Sequence, residues 1–254
     1  MTAKAQGARR ITRLGLGWAV HRGKIDDRDL HSHNALQITF TDDDEFIVDL
    51  GEATAWTSTA LIRSGVRHAI RYDSSTACSL FIDTDSEAAE GLVALCGDRG
   101  AISLGGPVER AARNFARRMI DGWTDGERAF ENFSTLLGSP KTGRPSDPRI
   151  DRALETLVEG HRIHWPLRRL AGAAELSNSQ FAALFKECTG LPVRTHARWL
   201  RFQTAIETLA KGADGMSAAR AAGYSSAMQF TNAFRHVFGL SPSLFASSLI
   251  CRED

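Results

Sequence analysis

The sequence predicts an α+β protein of two domains, with a small β-barrel and following helices in the N-terminal half and only helices in the C-terminal half. Three observations support this fold class: the chain length, a change in hydropathy pattern along the chain, and an internal repeat. The 254 residues suit one large domain or two ordinary ones. With 43% hydrophobic and 24% charged residues, the composition disfavours a disordered chain, a collagen-like chain and a coiled-coil rod.

A linker marks the predicted boundary between the two domains. Segment 139–148 holds three prolines, a glycine and two serines, which is typical of a linker. We therefore place the N-terminal domain at 1–140 and the C-terminal domain at 141–254. The first carries 16 basic and 20 acidic residues, and the second 15 and 10. This asymmetry favours a C-terminal domain that binds a polyanion.

Several classes of protein are disfavoured. No apolar run approaches the roughly 20 residues of a membrane-spanning helix, so we expect no membrane partner. The N-terminus lacks the apolar core of a secretory signal, and the four cysteines have no C-x-x-C spacing. We therefore predict a cytoplasmic protein. Because no Ser-His-Asp, G-x-S-x-G or phosphate-loop pattern is present, we predict no catalytic residues and no enzyme.

Short strands are predicted over residues 10–85. Alternation of apolar and polar residues indicates strands at 36–40 and 46–50. Many short strands at close spacing favour a small barrel or sandwich.

Helices are predicted after residue 86, where apolar residues recur three or four positions apart. These helices span 87–95, 108–123 and 126–137. A homodimer, if one forms, is expected to use the helices within 108–137.

Histidines precede the first clear strand. His31 and His33 are two residues apart, so on a strand both would point to the face that Gln37 also shares. With His68 further on, the pattern H-x-H-x3-Q and G-x2-H resembles the metal-binding pattern of cupin barrels, although Gln37 stands where an acid is usual. The resemblance implies an effector site or a site for Zn²⁺ or another borderline divalent ion. Polar residues that line a barrel mouth without metal are the alternative.

An internal repeat lies in the C-terminal domain. Each copy has a short Ala-rich helix, a tight turn, a helix with phenylalanines four residues apart, and a closing glycine. This is a helix-turn-helix unit, predicted at 166–190 and again at 215–239. At a shift of 49 residues the following pairs coincide: Ala173 and Ala222, Ser177 and Ser226, Gln180 and Gln229, Phe181 and Phe230, Phe185 and Phe234, Gly190 and Gly239, Leu191 and Leu240.

A linker helix is predicted between the units, at 193–211. Arg194, Arg198 and Arg201 are spaced as one basic stripe along it. A continuous helix would fix the distance between the two units. Two recognition helices held roughly 34 Å apart can enter successive major grooves on one face of DNA.

Residues 148–249 resemble the DNA-binding domain of the AraC/XylS family of bacterial transcription regulators. The resemblance rests on Arg201-Phe-Gln-Thr-Ala205 in the linker helix and on the second unit from Ala221 to Pro242. It extends through Leu170, Leu176, Phe181, Phe185 and Gly190 in the first unit. It implies a sequence-specific regulator that binds double-stranded DNA and needs no cofactor, with a cupin-like sensor domain. A small-molecule effector is implied, and RNA polymerase is a partner if the protein activates transcription.

Two departures from the family stand out. Ala183 takes the place of a frequent arginine in the first recognition helix, and Ala182 is small as well. The chain ends its last motif with Phe245-Ala246 instead of Tyr-Arg.

Candidate DNA contacts follow from the resemblance and from side-chain chemistry, because Gln and Asn can bond adenine while Ala and Thr can meet a thymine methyl. His196 and His236 are predicted as surface or phosphate contacts. The predicted base-reading residues are Asn178, Ser179, Gln180, Ala182, Ala183, Ala227, Met228, Gln229, Thr231 and Asn232. The predicted phosphate contacts are Arg168, Arg169, Lys186, Arg194, Arg198 and Arg235.

Two other functions compete with this one. A metal-binding cupin sensor or enzyme would use His31, His33, Gln37 and His68. A non-specific architectural DNA binder is disfavoured by the low net charge of +1.

Overall fold

A computed structural model describes residues 11–23, 29–42, 44–71, 77–122, 125–138, 145–159 and 166–246. Within them the α+β class is confirmed, since strands dominate the first half and only helices follow residue 145. Most of the predicted linker, at 139–144, lies outside the described residues. No helix in the described parts of the chain is long and apolar enough to cross a membrane.

The strands of the N-terminal domain form two antiparallel sheets. The larger has the order β1-β2-β8-β3-β6-β9 and the smaller β5-β4-β7. Among the described residues, the predicted barrel is thus a pair of sheets and not one closed ring. The strands are β1 Ile11–Gly15, β2 Trp18–Gly23, β3 Leu36–Phe40, β4 Phe46–Asp49, β5 Thr54–Thr57, β6 Thr59–Ile62, β7 Ala69–Arg71, β8 Ala77–Ile82 and β9 Ala101–Ser103.

Three helices cover one face of the larger sheet. They are α1 Glu87–Cys96, α2 Gly106–Ile120 and α3 Gly126–Leu136. Their apolar stripes bury a cluster in which Trp18 of the sheet contacts Phe115 edge-on, with ring centroids 5.0 Å apart. A smaller apolar cluster lies between the sheets, around Phe46. Alternation along each strand therefore buries apolar residues toward the helices.

Seven helices form the C-terminal domain as described. α4 was not predicted from the sequence. The helices are α4 Pro148–Glu159, α5 Leu167–Ala173, α6 Asn178–Thr189, α7 Val193–Ala210, α8 Gly215–Ala221, α9 Ala227–Phe238 and α10 Pro242–Ala246.

The second helix of each unit begins and ends in the same way. Ser177 and Ser226 are the N-caps, and each hydroxyl accepts a hydrogen bond from the backbone N–H three residues on. Gly190 and Gly239 end the helices with φ of 77° and 71°. A residue with a side chain is strained in this left-handed conformation.

The repeat has two periods and not one. α5 and α8 are related by 48 residues, whereas α6 and α9 are related by 49, because the turn of the second unit is one residue longer. Buried Ala174 is therefore the counterpart of buried Ala222, and the predicted counterpart Ala173 is exposed. The turn conformation is kept, since Glu175 and Gly223 both have positive φ. The 49-residue alignment was wrong for the first helix of the unit.

The two domains share a hydrophobic cluster. Ala19, Ala35 and Phe81 of the N-terminal domain are buried in the same cluster as Trp199 and Phe238 of the C-terminal domain. The rings of Phe81 and Phe238 meet edge-on, with centroids 5.6 Å apart. The second helix-turn-helix unit thus packs directly on the larger sheet.

Asp83, just after β8, anchors this contact. Its side chain is 2% exposed. Nη2 of Arg198 donates to its carboxylate at 2.6 Å, and Nε1 of Trp199 donates to the same oxygen at 2.8 Å. Both donors lie on α7, so one buried carboxylate fixes this helix against the N-terminal domain.

We expect Asp83→Ala to lower the free energy of unfolding by about 2–4 kcal/mol, because Arg198 and Trp199 would lose their acceptor at a buried contact. Urea unfolding of the full chain measures this change. Asp98→Ala, in an exposed turn, is the control and should change stability by less than about 0.5 kcal/mol. Equal effects of the two substitutions would contradict the role given to Asp83.

Candidate nucleic-acid interface and histidine cluster

The second recognition helix, α9, presents a mostly exposed face. Met228, Gln229 and Asn232 are exposed, and Ala227 and Thr231 are half-buried. Met228 is 73% exposed, which is unusual for a large apolar side chain and leaves its methyl group available to a partner. Phe230 and Phe234 point to the opposite side and are buried. The helix therefore has a buried face that holds it and an open face that can enter a groove.

The first recognition helix, α6, has a less distinctive face. Asn178, Ser179 and Ala183 are exposed and Ala182 is half-buried. The two alanines leave this surface without long side chains beyond the first turn. The first unit therefore offers fewer groups for base contact than α9 does.

Both predicted base-reading glutamines are engaged in helix capping. Oε1 of Gln180 accepts hydrogen bonds from the backbone N–H of Ser177 at 3.1 Å and from its hydroxyl at 2.9 Å. In α9, Oε1 of Gln229 accepts from the N–H and the hydroxyl of Ser225, both at 2.9 Å. Each glutamine must leave its cap before it can bond a base with both its amide groups.

Five of the six predicted phosphate contacts lie on the surface. The exposed residues are Arg168, Arg169, Lys186, Arg194 and Arg235. The first turns of α6 and α9 contain no acidic residue, so their N-terminal N–H groups and dipoles keep an environment that favours anions. In the first turn of α7, Thr195 donates to the carboxylate of Asp85.

Arg198 does not fit the predicted role. Its guanidinium is bound to the buried Asp83 carboxylate at the domain interface. The basic stripe drawn along the linker helix is also broken at Arg201, which donates to the carbonyls of Ala222 and Gly223. Its guanidinium lies 3.7 Å from the centre of the Tyr224 ring. Helical spacing alone did not reveal these buried partners.

His196 was wrongly predicted to be a surface residue. It is 4% exposed and packs edge-on against Phe185, with ring centroids 5.4 Å apart. Its Nδ1 is buried without a hydrogen-bond partner among the described residues. Burial lowers the pKa of His196 to about 4, because a charged imidazolium would lose its hydration.

The structure brings the predicted effector or metal residues together. One ring nitrogen from each of His31, His33 and His68 lies within 4.8 Å of the others. Oε1 of Gln37 lies 2.8 Å from Nε2 of His33 and 3.3 Å from Nε2 of His68. His33, Gln37 and His68 are buried, and His31 is half-buried. These four side chains are called the histidine cluster below.

Backbone carbonyls orient the three imidazoles. Nδ1 of His31 is 3.0 Å from the carbonyl of Asp29, Nδ1 of His33 is 3.1 Å from that of Ala35, and Nδ1 of His68 is 2.9 Å from that of Val66. A carbonyl only accepts, so each Nδ1 carries a proton. In the neutral ring Nε2 then presents its lone pair. Burial lowers the pKa of His33 to about 4, which keeps this ring neutral at pH 7.

The cluster lies against the end of α9. The loop 31–35 contributes two cluster histidines and then donates two backbone hydrogen bonds to α9: N–H of Asn34 to the carbonyl of His236 at 2.8 Å, and N–H of Ala35 to that of Val237 at 3.0 Å. His236, predicted as a surface or phosphate contact, is exposed, but its Nε2 lies 2.8 Å from Nδ2 of Asn34. Sequence reasoning missed this junction, for which the chain gives no local signal.

The folded units and their capped second helices define the C-terminal half as a helix-turn-helix domain. A family described as "Helix-turn-helix domain" matches residues 170–248. A putative AraC-like transcription regulator from Streptomyces antibioticus is 33% identical over 99 residues, which cover 38% of this chain and 32% of that protein. The resemblance of this domain to the AraC/XylS family is therefore confirmed.

Another relative matches more of the chain. The RCS-specific HTH-type transcriptional activator RclR of Escherichia coli (strain K12) is 26% identical over 184 residues, which cover 72% of this chain and 58% of that protein. The chain thus spans between a third and about three fifths of these curated relatives.

Two solved structures are also similar. ToxT from Vibrio cholerae O395 aligns over 92% of this chain and 99% of its own, with 12% identity and a TM-score of 0.46. The DNA-binding domain of AdpA in complex with a target DNA aligns over 41% of this chain and 93% of its own, with 23% identity and a TM-score of 0.37.

The stability of the protein should depend on His196 between pH 7 and pH 5. Its folded pKa lies below that of the unfolded state, so its contribution is present above about pH 6.5 and is lost as the pH falls toward 4. The loss should be about 2 kcal/mol at pH 5. Urea unfolding of wild type and His196→Leu at both pH values measures it. The variant should lose about 2 kcal/mol less than wild type; the same loss in both proteins would contradict the assignment.

Proposed function

We propose that the protein is a sequence-specific DNA-binding transcription regulator whose two recognition helices, α6 and α9, enter successive major grooves. One observation carries the proposal: both helices are capped and buried on one face, open on the other, and joined by the continuous helix α7. At 18 residues, α7 is about 27 Å long, close to one turn of DNA. One chain can thus hold two reading helices at the spacing that usually requires a dimer.

The roles of the two units differ in this proposal. α9 reads bases through Met228, Thr231 and Asn232, whose chemistry suits a thymine methyl or an adenine edge. α6, with its alanine surface, contributes mainly position, through phosphate contacts near Lys186 and Arg194. The predicted base contacts of Ala227, Asn178 and Ser179 lie at the N-terminal ends of these helices.

The N-terminal domain is proposed to be a cupin-like sensor. It is packed on the second unit through Phe81 and on the linker helix through Asp83, so a small-molecule effector bound in it could favour one arrangement of the domains over another. α2 and α3, where the dimer contact was predicted, form the opposite cover of the larger sheet. We propose that the protein acts in the cytoplasm, on double-stranded DNA and without catalysis, and contacts RNA polymerase if it activates transcription.

The proposal is tested by selecting, from a random pool of DNA duplexes, those that the full-length protein binds at fixed salt. Two short half-sites about one helical turn apart are expected. No enrichment over unselected DNA, with or without added Zn²⁺, would overturn the proposed function.

On the selected site, Asn232→Ala should weaken binding by about 5–150-fold, which corresponds to about 1–3 kcal/mol for a lost base contact. Fluorescence anisotropy of the full chain at fixed salt measures this. Met216→Ala is the control, since Met216 is also exposed but lies on the first helix of the unit. It should bind within about twofold of wild type. The proposal fails for Asn232 if both variants bind as wild type does.

The phosphate role of Arg194 predicts a different signature. Arg194→Ala should weaken binding to selected and random duplexes alike and reduce the slope of log K against log salt by about 1. Affinities between 50 and 300 mM salt give the slope. Arg99→Ala, in an exposed turn of the N-terminal domain, should leave it unchanged. An unchanged slope in Arg194→Ala would remove this residue from the interface.

A further inference from the structure

We propose that the histidine cluster binds a divalent cation of the zinc class and that the bound ion strengthens DNA binding through the loop 31–35, which caps the second recognition helix. The inference rests on the proposed function for its effect on DNA. Its metal site and its link to α9 rest on contacts within the chain.

The donor set suits such an ion. Each ring has its Nδ1 on a backbone carbonyl, which is the outer contact that orients a metal-binding histidine. Three imidazole nitrogens and one amide oxygen make four ligands, enough for tetrahedral Zn²⁺. The ring nitrogens within 4.8 Å of one another could each approach a central ion at about 2 Å with small movements.

Ring nitrogens converge in this cluster. Nε2 of His33 lies 2.8 Å from the side-chain amide of Gln37, and the same amide contacts Oγ1 of Thr39 at 2.8 Å. Gln37 is thus held beside the point where the three rings meet, and its oxygen can serve as a fourth ligand. Lone pairs from three imidazoles that converge within 4.8 Å suit a cation and not an anion.

The ligand loop is also a helix cap. The last four carbonyls of a helix lack partners within it, and two of those of α9 accept from Asn34 and Ala35. These donors follow His33 directly in the chain. His31 is tied to His68 by two further backbone bonds, of 3.0 and 2.8 Å. An ion that joins His31, His33 and His68 therefore fixes the segment that holds the end of α9.

Gly239 makes this contact close. A Cβ on Gly239 would lie 2.7 Å from Cδ2 of His31 and 2.8 Å from Cδ2 of His33, nearer than side chains pack. The residue that ends α9 thus lies directly against two of the proposed ligands. A change in the orientation of either imidazole therefore changes the contacts at this end of α9.

The direction of the effect follows from the exposed faces. In the docked arrangement the open face of α9 remains exposed, so docking does not cover it. An ion that fixes the loop restricts α9 to this arrangement. The conformational entropy that α9 loses on binding DNA is then smaller. We expect saturating Zn²⁺ to raise affinity for the selected site about tenfold, within the usual range of such coupling.

The metal site is tested by Zn²⁺ binding to the full chain after removal of metal with a chelator. Calorimetry and elemental analysis should give one Zn²⁺ per chain in wild type and in the control His196→Leu, which changes a histidine that packs against Phe185 outside the cluster. His33→Ala and His68→Gln, checked for folding by circular dichroism, should lose it. No bound Zn²⁺ in wild type, or undiminished binding in both cluster variants, overturns the proposal.

The link to α9 is tested on wild type alone, so it does not depend on whether a variant folds. Hydrogen exchange with and without Zn²⁺ should show slower exchange at Asn34 and Ala35 and in the last turn of α9, with no change in α2. Slowing at the loop without any at the end of α9 overturns the link.

The effect on DNA is measured by anisotropy with Zn²⁺ or with chelator. A tenfold gain in wild type that is absent from His33→Ala supports the proposal, and a change below twofold overturns it. If the protein binds no DNA under either condition while Zn²⁺ still protects α9, the proposed function fails and the metal site stands. If DNA is bound but no Zn²⁺ is, only the metal proposal fails.

Discussion

The bond between the buried Asp83 carboxylate and the linker helix is the contact on which the arrangement of the two domains depends. A carboxylate with 2% exposure is costly unless charged or polar donors compensate for its lost hydration. Arg198 and Trp199 supply both kinds of donor from adjacent positions on one helix. Because α7 joins the two helix-turn-helix units, fixing it also sets where both units stand relative to the N-terminal domain. The apolar contact of Phe81 with Phe238 also stabilises the domain interface, but it does not require the fixed geometry of a hydrogen bond.

A second contact complements the first at the other end of the interface. There the donors are the backbone N–H groups of the loop 31–35 and the acceptors are the last carbonyls of α9. The N-terminal domain thus holds the middle of the linker helix through a charge and the end of α9 through backbone bonds. Two different types of interaction at two separated points restrict both the rotation and the separation of the two domains. A rearrangement of the domains can proceed by weakening one of these contacts while the other is kept.

Local patterns predicted much of this molecule. The serine caps, the glycine ends and the buried phenylalanines of the two units depend on residues close in sequence, so the helix-turn-helix reading and the linker helix could be derived from the chain. The grouping of His31, His33 and His68 was predicted from a resemblance and from strand alternation, but His31 and His33 lie in the loop before β3 and not on a strand. The role of Arg198 could not be derived, because helical spacing shows only which face a residue is on and not which distant residue packs there. The same limit hid the burial of His196, since its neighbour Phe185 comes from another helix.

The repeat shows a different limit. An alignment based on the phenylalanines and serines applies one shift of 49 residues to the whole unit. The turn of the second unit, however, is one residue longer. Burial shows the correct alignment of the first helices, because Ala174 and Ala222 are both buried while Ala173 is exposed. Similar letters in the Ala-rich helix could not reveal the insertion, since several alanines fit either register.

The capping of α9 by a loop from the other domain bears on how freely such domains can be recombined. A C-terminal domain grafted onto this N-terminal domain would need a residue without a side chain at the position of Gly239, because a Cβ there would collide with His31 and His33. It would also need carbonyls placed to receive the N–H groups of Asn34 and Ala35. The boundary at which the polypeptide can be cut therefore differs from the boundary at which the structure can be exchanged, and a working chimera would have to carry the loop 31–35 together with the helix that it caps.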